Sequence, residues 1–381
     1  LFRSQLPRWA LTCHWRKDGQ PIWRNPQLYA LESKPTTVTP EMAHRFALAF
    51  AQRLQLDPGY LFPAFEDTWY YLWRERRLPS NVTVDESKVK DPLERERLSR
   101  VFEKGLESAV GYVLPIAREH GKAQNGHGGR WKSGPWFLRS EKCYLIPGDS
   151  PVGYRLPLDS LPWAAPADAG FIAEPDPMAA HPDLPPLDAF RRAPVLRRQE
   201  RNVSPESSGD GDAARREAWQ RALAPDLAMQ PGMGSSPSWI VRTAMAFEPR
   251  DGHLYVFMPP TERTEDYLEL VASIEDTAEE LHQPIFLEGY PPPGGDSRLQ
   301  SFSVTPDPGV IEVNIHPSTN WRELVQRTEI VYEEARTTRL GAQKFMIDGR
   351  HTGTGGGNHF VLGGPSAPDS PLLRRPDLLK S

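Results

Sequence analysis

Cysteine is scarce in this sequence, since only Cys13 and Cys143 occur among 381 residues. The two lie far apart and show no Cys-x-x-Cys spacing, which excludes a disulfide scaffold or a zinc ribbon as the organising element. Cys143 stands in an ordinary strand-like run, without a pattern typical of a nucleophile. We therefore expect no thiol chemistry from this chain.

The sequence also lacks long apolar segments. No run approaches the ~20 residues that a membrane-spanning helix needs, and the first residues do not show the basic-then-apolar pattern of a secretory signal. The formal net charge is −5, from 45 basic and 50 acidic residues, so no overall charge favours nucleic acid. We expect a cytoplasmic protein that binds neither membranes nor nucleic acids. A first residue other than methionine suggests a fragment. The last residues, 372–381, look like the opening of an element, so we expect the core to be truncated at its C-terminus.

Proline, in contrast, is abundant. The 40 prolines are about twice the usual share. In residues 164–237 the composition changes sharply: Pro, Ala, Asp, Ser and Gly dominate, and arginines occur in pairs. This segment has no sustained apolar period, which is typical of a disordered linker or insertion with at most one short helix, at 213–223. It divides the chain into an N-terminal part, 1–163, rich in helices and aromatic residues, and a C-terminal part, 238–381.

The C-terminal part shows the pattern of an α+β domain. Apolar runs at 239–248 and 253–258 flank a Gly-containing turn and predict a hairpin, while apolar spacing predicts helices over 267–281 and 321–335. We expect a largely antiparallel sheet with helices packed on one face. The opposite face would carry Glu248, Glu288 and Glu312 as the floor of a cleft.

The N-terminal part carries signals for a helix and a hairpin, among other elements. Residues 39–56 carry a helix start signal, Thr39-Pro40-Glu41, followed by one apolar stripe. The polar residues 17–20 lie between two aromatic runs, which predicts a second hairpin. Glu66 and Asp67 are either first-turn charges of a helix or site carboxylates, and the macrodipole favours the first interpretation.

The strand at 310–315 carries polar side chains on one face, because residues alternate: Glu312 and Asn314 point away from the apolar face. One interpretation is an exposed strand with an acidic outer face. The alternative is a metal site, since a glycine-rich loop follows and ends at Asn358 and His359. Carboxylates with one histidine suit Mg²⁺ or Mn²⁺, and loop amides suit phosphate oxygens.

The order of these motifs resembles the core of the glutamine synthetase superfamily. The resemblance rests on DPGVIEV at 307–313, a helix, GAQKFM at 341–346 and GTGGGNH at 353–359, although Val361 stands where glutamine synthetases carry a second histidine. More closely, the chain resembles a bacterial amidoligase family whose members are often fused behind a transglutaminase-like domain. That likeness covers most of the chain outside 164–237, including FED at 65–67, LPSN at 78–81 and PGDSPVGYRLPL at 147–158.

The resemblance implies a glutamine synthetase-like catalytic core and an ATP-dependent carboxylate–amine ligase acting on peptides or amino acids. It implies ATP and Mg²⁺ or Mn²⁺ as cofactors, and a transglutaminase-like domain in the same full-length chain as partner. The implied metal or phosphate-bridging ligands are Glu288, Glu312 and His359, with Glu248 and Asn314 as further candidates. The nucleotide or substrate edge would be lined by Gly353, Gly355, Gly356, Gly357 and Asn358, and the acyl phosphate would be balanced by Arg350 or Arg155.

Two other functions use the same residues. A metal-dependent hydrolase of amide bonds would need the carboxylates and histidine but no nucleotide. A non-catalytic module would bind peptide in a groove lined by aromatic residues. Stabilisation by ATP separates the ligase from the hydrolase, and metal binding separates both from the module.

Overall fold

The computed structural model describes most of the chain as two compact units. The larger comprises residues 23–174 and 187–294, and the smaller comprises 1–22, 175–186 and 295–381. Together they form a mixed α+β protein, which confirms the predicted class. The residues described are 10–34, 36–78, 80–81, 83, 92–119, 130–168, 181–191, 230–307, 310–353, 359, 361–364 and 367–380.

The regular elements of the described residues are short strands and amphipathic helices. The strands are β1 Leu11–Arg16, β2 Phe62–Phe65, β3 Gly111–Pro115, β4 Ala117–Glu119, β5 Arg130–Lys132, β6 Cys143–Tyr144, β7 Ala244–Arg250, β8 His253–Met258, β9 Ile285–Gly289, β10 Leu299–Asp307, β11 Val310–Asn314, β12 Lys344–Phe345 and β13 His351–Thr352. The α-helices are α1 Pro40–Arg53, α2 Thr68–Glu75, α3 Pro92–Lys104, α4 Thr264–Leu281, α5 Trp321–Thr337 and α6 Pro371–Arg374.

A six-stranded sheet organises the larger unit, in the order β6-β2-β3-β7-β8-β9. Its pairs are antiparallel except β2 with β6 and β8 with β9, which are parallel. The predicted hairpin is confirmed: β7 and β8 are joined by Asp251 and Gly252, both at positive φ, as a two-residue turn with the right-handed strand twist requires. Strands from both sides of residues 164–237 therefore lie in one sheet. The domain bounds drawn from composition stay a prediction.

Helix α1 covers one face of this sheet. It begins as predicted, with the Thr39 side chain accepting from the Met42 amide and Pro40 in the first turn. Phe46 and Phe50 pack against Phe247 of β7, at ring-centroid distances of 6.0 and 5.7 Å. Helix α4, predicted over 267–281, packs against α1 and buries most of its apolar residues. Burial of these aromatic rings excludes water from that face.

The opposite face of the sheet is covered in part by residues 136–161. Val152, Trp136 and Leu156 pack there with Val113 and Phe257 in one buried cluster. Apart from β6, which belongs to the sheet itself, this covering segment consists of turns and short 3₁₀ helices.

The smaller unit contains a three-stranded antiparallel sheet in the order β1-β10-β11. The single sheet predicted for 238–381 is therefore wrong, because β10 pairs with β1 from the N-terminal part and not with β9. Cys13 lies opposite Phe302 in this register. Helix α5 begins as predicted, with the Asn320 side chain accepting from the Glu323 amide at 3.0 Å.

The hairpin predicted around residues 17–20 is also wrong. β1 does end there, but the second aromatic run forms no strand, since Pro21 and Pro26 lack the N–H groups that a ladder needs. Instead, Trp23 stacks on Tyr29 at 4.9 Å and donates from Nε1 to the Asn25 carbonyl. The aromatic ring anchors a loop and not a strand.

Residues 181–191 are the described central part of the predicted insertion. Leu187 and Phe190 are buried in a 3₁₀ helix, and Arg191 forms ion pairs with Glu275 and Asp276 on α4. These contacts dock part of the segment on the larger unit. The stretches 169–180 and 192–229, including the helix predicted at 213–223, lie outside the described residues.

Candidate functional site

Three neighbouring strands of the larger unit place charged and aromatic side chains on one face. Cross-strand partners share a face, and Glu248 of β7 is paired with Tyr255 of β8, while Phe257 of β8 is paired with Glu288 of β9. Since Tyr255 and Phe257 are two residues apart, all four side chains lie on the face opposite Phe247. Glu248 and Glu288, named here the acidic pair, therefore converge across β8.

Arg250 lies between the two carboxylates of the acidic pair. Its Nη1 is 2.8 Å from Glu248 Oε2 and 3.5 Å from Glu288 Oε1, and its Nη2 is 2.8 Å from Glu288 Oε2. The guanidinium carbon also lies 3.7 Å from the Tyr255 ring centroid, within cation–π range. A single cation thus contacts both acids and the aromatic ring beside them.

Burial and charge act in opposite directions on this cluster. Burial raises the pKa of Glu248, while the Arg250 guanidinium opposes that shift and the Val152 amide donates to Glu248 Oε2 at 3.3 Å. For Arg250, burial lowers the pKa, but Glu248 and Glu288 outweigh it and leave the pKa above its usual value. Glu248 is therefore a carboxylate whose charge depends on a nearby cation.

A second ion pair lies next to the acidic pair. Arg155 and Glu66 are both buried, and the guanidinium meets the carboxylate through two parallel N–H···O contacts, one of them 3.1 Å long. Arg155 Nε also donates to the Ile146 carbonyl at 2.8 Å. The pKa of Glu248 is raised by burial, and the positive charge of Arg155 opposes that shift, after the larger effects of Arg250, the Val152 amide and Glu288. Two arginines therefore act on the same buried acid.

An aromatic wall, formed by Tyr154, Phe257 and Tyr290, borders Glu288. The Tyr154 and Phe257 ring centroids are 4.8 Å apart, and Tyr290 lies 6.2 Å from Phe257. Tyr154 and Tyr290 are 58% and 45% exposed. Burial, then Tyr290 and Glu288, raise the pKa of Tyr154, so its hydroxyl stays protonated at neutral pH. The wall offers two exposed phenols beside a carboxylate.

Two glycines permit this close approach. A Cβ on Gly153 would lie 2.2 Å from the Phe257 ring, and one on Gly289, at φ +100°, would lie 2.6 Å from the Met258 backbone. Any other residue at either position would force the wall apart. The wall is therefore set by backbone contacts as well as by ring packing.

The other predicted site residues belong to the smaller unit. Glu312 and Asn314 lie on β11, opposite Thr305 and Ser303 of β10, and both are exposed. Arg350 is exposed in a turn, 3.5 Å from Asp348. Gly353 and His359 are described, and His359 is exposed, whereas Gly355, Gly356, Gly357 and Asn358 lie outside the described residues. Of the predicted set, the structure thus brings together Glu248 and Glu288, with Arg155 nearby.

Sequence reasoning missed Arg250 and favoured a helix-start role over a site role for Glu66. Arg250 follows Glu248 by two positions in the same strand, so its place on the same face could have been inferred. Glu66 could not, because its partner Arg155 is 89 residues away. The helix-start role expected there is played by Asp67, which accepts from the Tyr70 amide at 3.0 Å.

The acidic pair has the donor chemistry of a magnesium site. In the part of the chain that the structure describes, no three His, Cys, Asp or Glu side chains form a metal-binding group. Mg²⁺, however, is commonly held by one or two carboxylates, with phosphate oxygens and waters completing the shell. Glu248 and Glu288 already converge on one cation, and their hard oxygens suit this ion.

These observations define a mixed α+β protein with a cluster of charged and aromatic side chains on one face of its six-stranded sheet. A family model described as "Putative amidoligase enzyme" matches residues 3–381, and the chain belongs to this family. The amidoligase resemblance is thereby confirmed. No curated protein and no solved structure matches the chain. None of the helices in the described ranges has the length and apolar character to cross a bilayer.

Proposed function

We propose that this protein is an ATP-dependent carboxylate–amine ligase whose reaction centre includes the acidic pair. The observation that carries the proposal is the convergence of Glu248 and Glu288 on one cation, with a second arginine beside them. Family membership supports the reaction class, and the cluster supplies charges of both signs on one face of the sheet.

The chemistry explains why both signs are needed. A carboxylate cannot expel oxide, so one of its oxygens attacks the γ-phosphorus of ATP, ADP leaves, and an acyl phosphate forms. The amine then attacks the acyl carbon, the C–O bond to phosphate breaks, and the amine loses a proton. Both steps concentrate negative charge on phosphate oxygens. Catalysis therefore consists mainly of positioning the reactants and neutralising that charge.

Glu248 and Glu288 would hold Mg²⁺ or Mn²⁺, which when bound neutralises charge on the phosphate oxygens. Arg155 has a fixed orientation, because Glu66 and the Ile146 carbonyl hold its guanidinium. Its charge would help balance the anionic phosphate. Tyr154 and Tyr290 would contact the organic part of the substrate, since phenol rings pack on apolar groups and donate a hydrogen bond.

The remaining candidates belong to the smaller unit, and their roles are proposed separately from the acidic pair. Glu312 and His359 are candidate metal or phosphate ligands within that unit, Asn314 is a weaker one, and Gly353 begins the glycine-rich stretch of sequence proposed to contact the nucleotide. Arg350 remains an alternative to Arg155 for the acyl phosphate. We also propose peptides or amino acids as substrates, and a transglutaminase-like domain as partner in the full-length chain. The glutamine synthetase-like core belongs to the same proposal.

Hydroxylamine provides a direct test, because it replaces the unknown amine and traps an acyl phosphate as a hydroxamate. The protein would be incubated with ATP, Mg²⁺, hydroxylamine and a panel of amino acids and dipeptides, and hydroxamate and ADP would be measured together. A ligase forms both in equal amounts, and only with ATP. Glu248→Gln and Glu288→Gln should lower the rate at least about 100-fold, while the exposed control Glu280→Gln should not.

The outcome also separates the alternative functions. Cleavage of amide bonds without ATP would indicate the metal-dependent hydrolase. Peptide binding without either reaction, unchanged by Glu248→Gln, would indicate a binding module and overturn the ligase proposal.

A further inference from the structure

Arg250 occupies the position between Glu248 and Glu288 that the proposed function gives to a divalent cation. Both carboxylates are accessible to solvent in part, at 15% and 20% of their side-chain surface. A metal ion that binds Glu248 and Glu288 must therefore compete with the Arg250 guanidinium.

The charges of the cluster do not balance while Arg250 is the cation. Two carboxylates and one guanidinium leave one net negative charge in a largely buried place, and Arg155 is already paired with Glu66. A divalent ion in place of the guanidinium would neutralise both acids. Burial of excess negative charge is costly. The site therefore favours replacement of the singly charged guanidinium by a doubly charged metal ion.

Arg250 also has a second contact that does not involve the acids. Its guanidinium lies over the Tyr255 ring at 3.7 Å, and its side chain is 27% exposed. An arginine that leaves the carboxylates can therefore keep its cation–π contact and regain water. An arginine in a fully buried structural ion pair would have neither this second contact nor access to water.

We propose, on the basis of the proposed function, that Arg250 is a displaceable internal cation. It holds the acidic pair together in the metal-free protein and competes with the divalent ion for the same oxygens. After exchange the cluster carries one net positive charge, two from the metal ion and one from Arg250 against two carboxylates. The site therefore changes from repelling to attracting an anionic phosphate. Metal binding would thus precede nucleotide binding.

Mn²⁺ titration of the full 381-residue chain, with free Mn²⁺ measured by electron paramagnetic resonance, tests this inference without any assay of activity. Arg250→Met removes the competing charge and should tighten Mn²⁺ binding about tenfold. Arg250→Lys keeps the charge but loses the two-pronged contact and should give a smaller gain. Arg263→Met, an equal charge change at an exposed site, should bind as the unmodified protein does. Adding Glu248→Gln to Arg250→Met should abolish the gain.

Thermal unfolding in EDTA shows which variants fold, and Arg250→Lys answers the question if Arg250→Met does not. If Mn²⁺ binds the unmodified chain and is lost in Glu248→Gln, but is not tightened by either Arg250 variant, the metal site stands and the displacement inference is overturned. If Mn²⁺ binds neither the unmodified chain nor the folded Arg250 variants, the metal site of the proposed function is itself wrong.

Discussion

Arg155 and Glu66 form a buried two-pronged ion pair that joins the end of β2 to the 3₁₀ helix at Val152–Arg155. Planar guanidinium and carboxylate groups match in this geometry, which fixes orientation as well as distance. The adjoining residue Tyr154 belongs to the aromatic wall, so the ion pair also positions one of its rings. The 3₁₀ helix at Val152–Arg155 thus contributes both to a buried ion pair and to the candidate reaction centre.

Removal of one partner of this pair should destabilise the protein strongly. Arg155→Met leaves the Glu66 carboxylate buried without its cation, and we expect a loss of about 3–5 kcal/mol in the free energy of unfolding. The double variant Glu66→Gln with Arg155→Met should lose less than Arg155→Met alone, because no unpaired charge stays buried. Urea unfolding followed by tryptophan fluorescence measures both. Equal losses in the two variants would contradict this account.

Gly153→Ala should loosen the aromatic wall. The new Cβ would meet the Phe257 ring at 2.2 Å, and displacement of packed groups costs about 1–3 kcal/mol. Gly294→Ala is the matched control, since a Cβ there has no neighbour within 4 Å among the described residues. Urea midpoints should fall for Gly153→Ala alone. A Gly153 variant as stable as the control would show that Phe257 can move at little cost.

Glu275 should be the carboxylate of α4 that matters most for stability. It is buried and accepts from the Arg24 and Asn25 amides at 2.6 and 2.7 Å, besides pairing with Arg191. Glu275→Ala leaves these donors unsatisfied and should cost about 3 kcal/mol or more. Glu280→Ala, on the same helix but exposed and paired with Arg53, should cost less than about 1 kcal/mol. Thermal midpoints of the two variants measure these losses. A midpoint that falls further for Glu280→Ala than for Glu275→Ala would contradict this prediction.

Cys143 should resist alkylation in the folded protein. Burial raises the pKa of its thiol to about 12, so the reactive thiolate is rare at pH 8. A raised folded pKa means that the stabilising effect of the neutral thiol is present below its ordinary value of 9.0 and is lost as pH rises toward 12. Peptide mapping after iodoacetamide treatment should find label on the exposed Cys13 and, before urea is added, none on Cys143. Equal labelling of both at pH 8 would refute the burial of Cys143.

Local signals predicted much of the secondary structure. Thr39-Pro40 marks the start of α1, Asn320 caps α5, and the Asp251-Gly252 turn joins β7 to β8, because each depends on residues within a few positions of one another. The spacing of apolar residues likewise predicted α4. These elements need no knowledge of the rest of the chain, since capping, turn geometry and helical periodicity are local properties.

The arrangement of charges was predictable only where strand alternation fixes it. Glu248, Glu288 and Glu312 were expected together on the sheet face away from the helices. Glu248 and Glu288 do share the face opposite α1, but Glu312 lies in a different sheet. Strand alternation also predicts that Arg250 lies on the same face as Glu248, but only acidic residues were considered as candidates. Glu66 was assigned to a helix start, because its neighbour Asp67 satisfies that pattern equally well and a distant partner leaves no local signal.

The sequence by itself therefore determined the α+β class, the amphipathic helices and the family-like motifs. Only the tertiary structure decided that β10 pairs with β1, which separates the sheet of Glu312 from that of Glu248. It also decided that Arg250 would lie between two acids and Arg155 against Glu66. The physical reason is that pairing between distant segments depends on which faces are buried together, and burial is a property of the assembled chain, not of any local stretch.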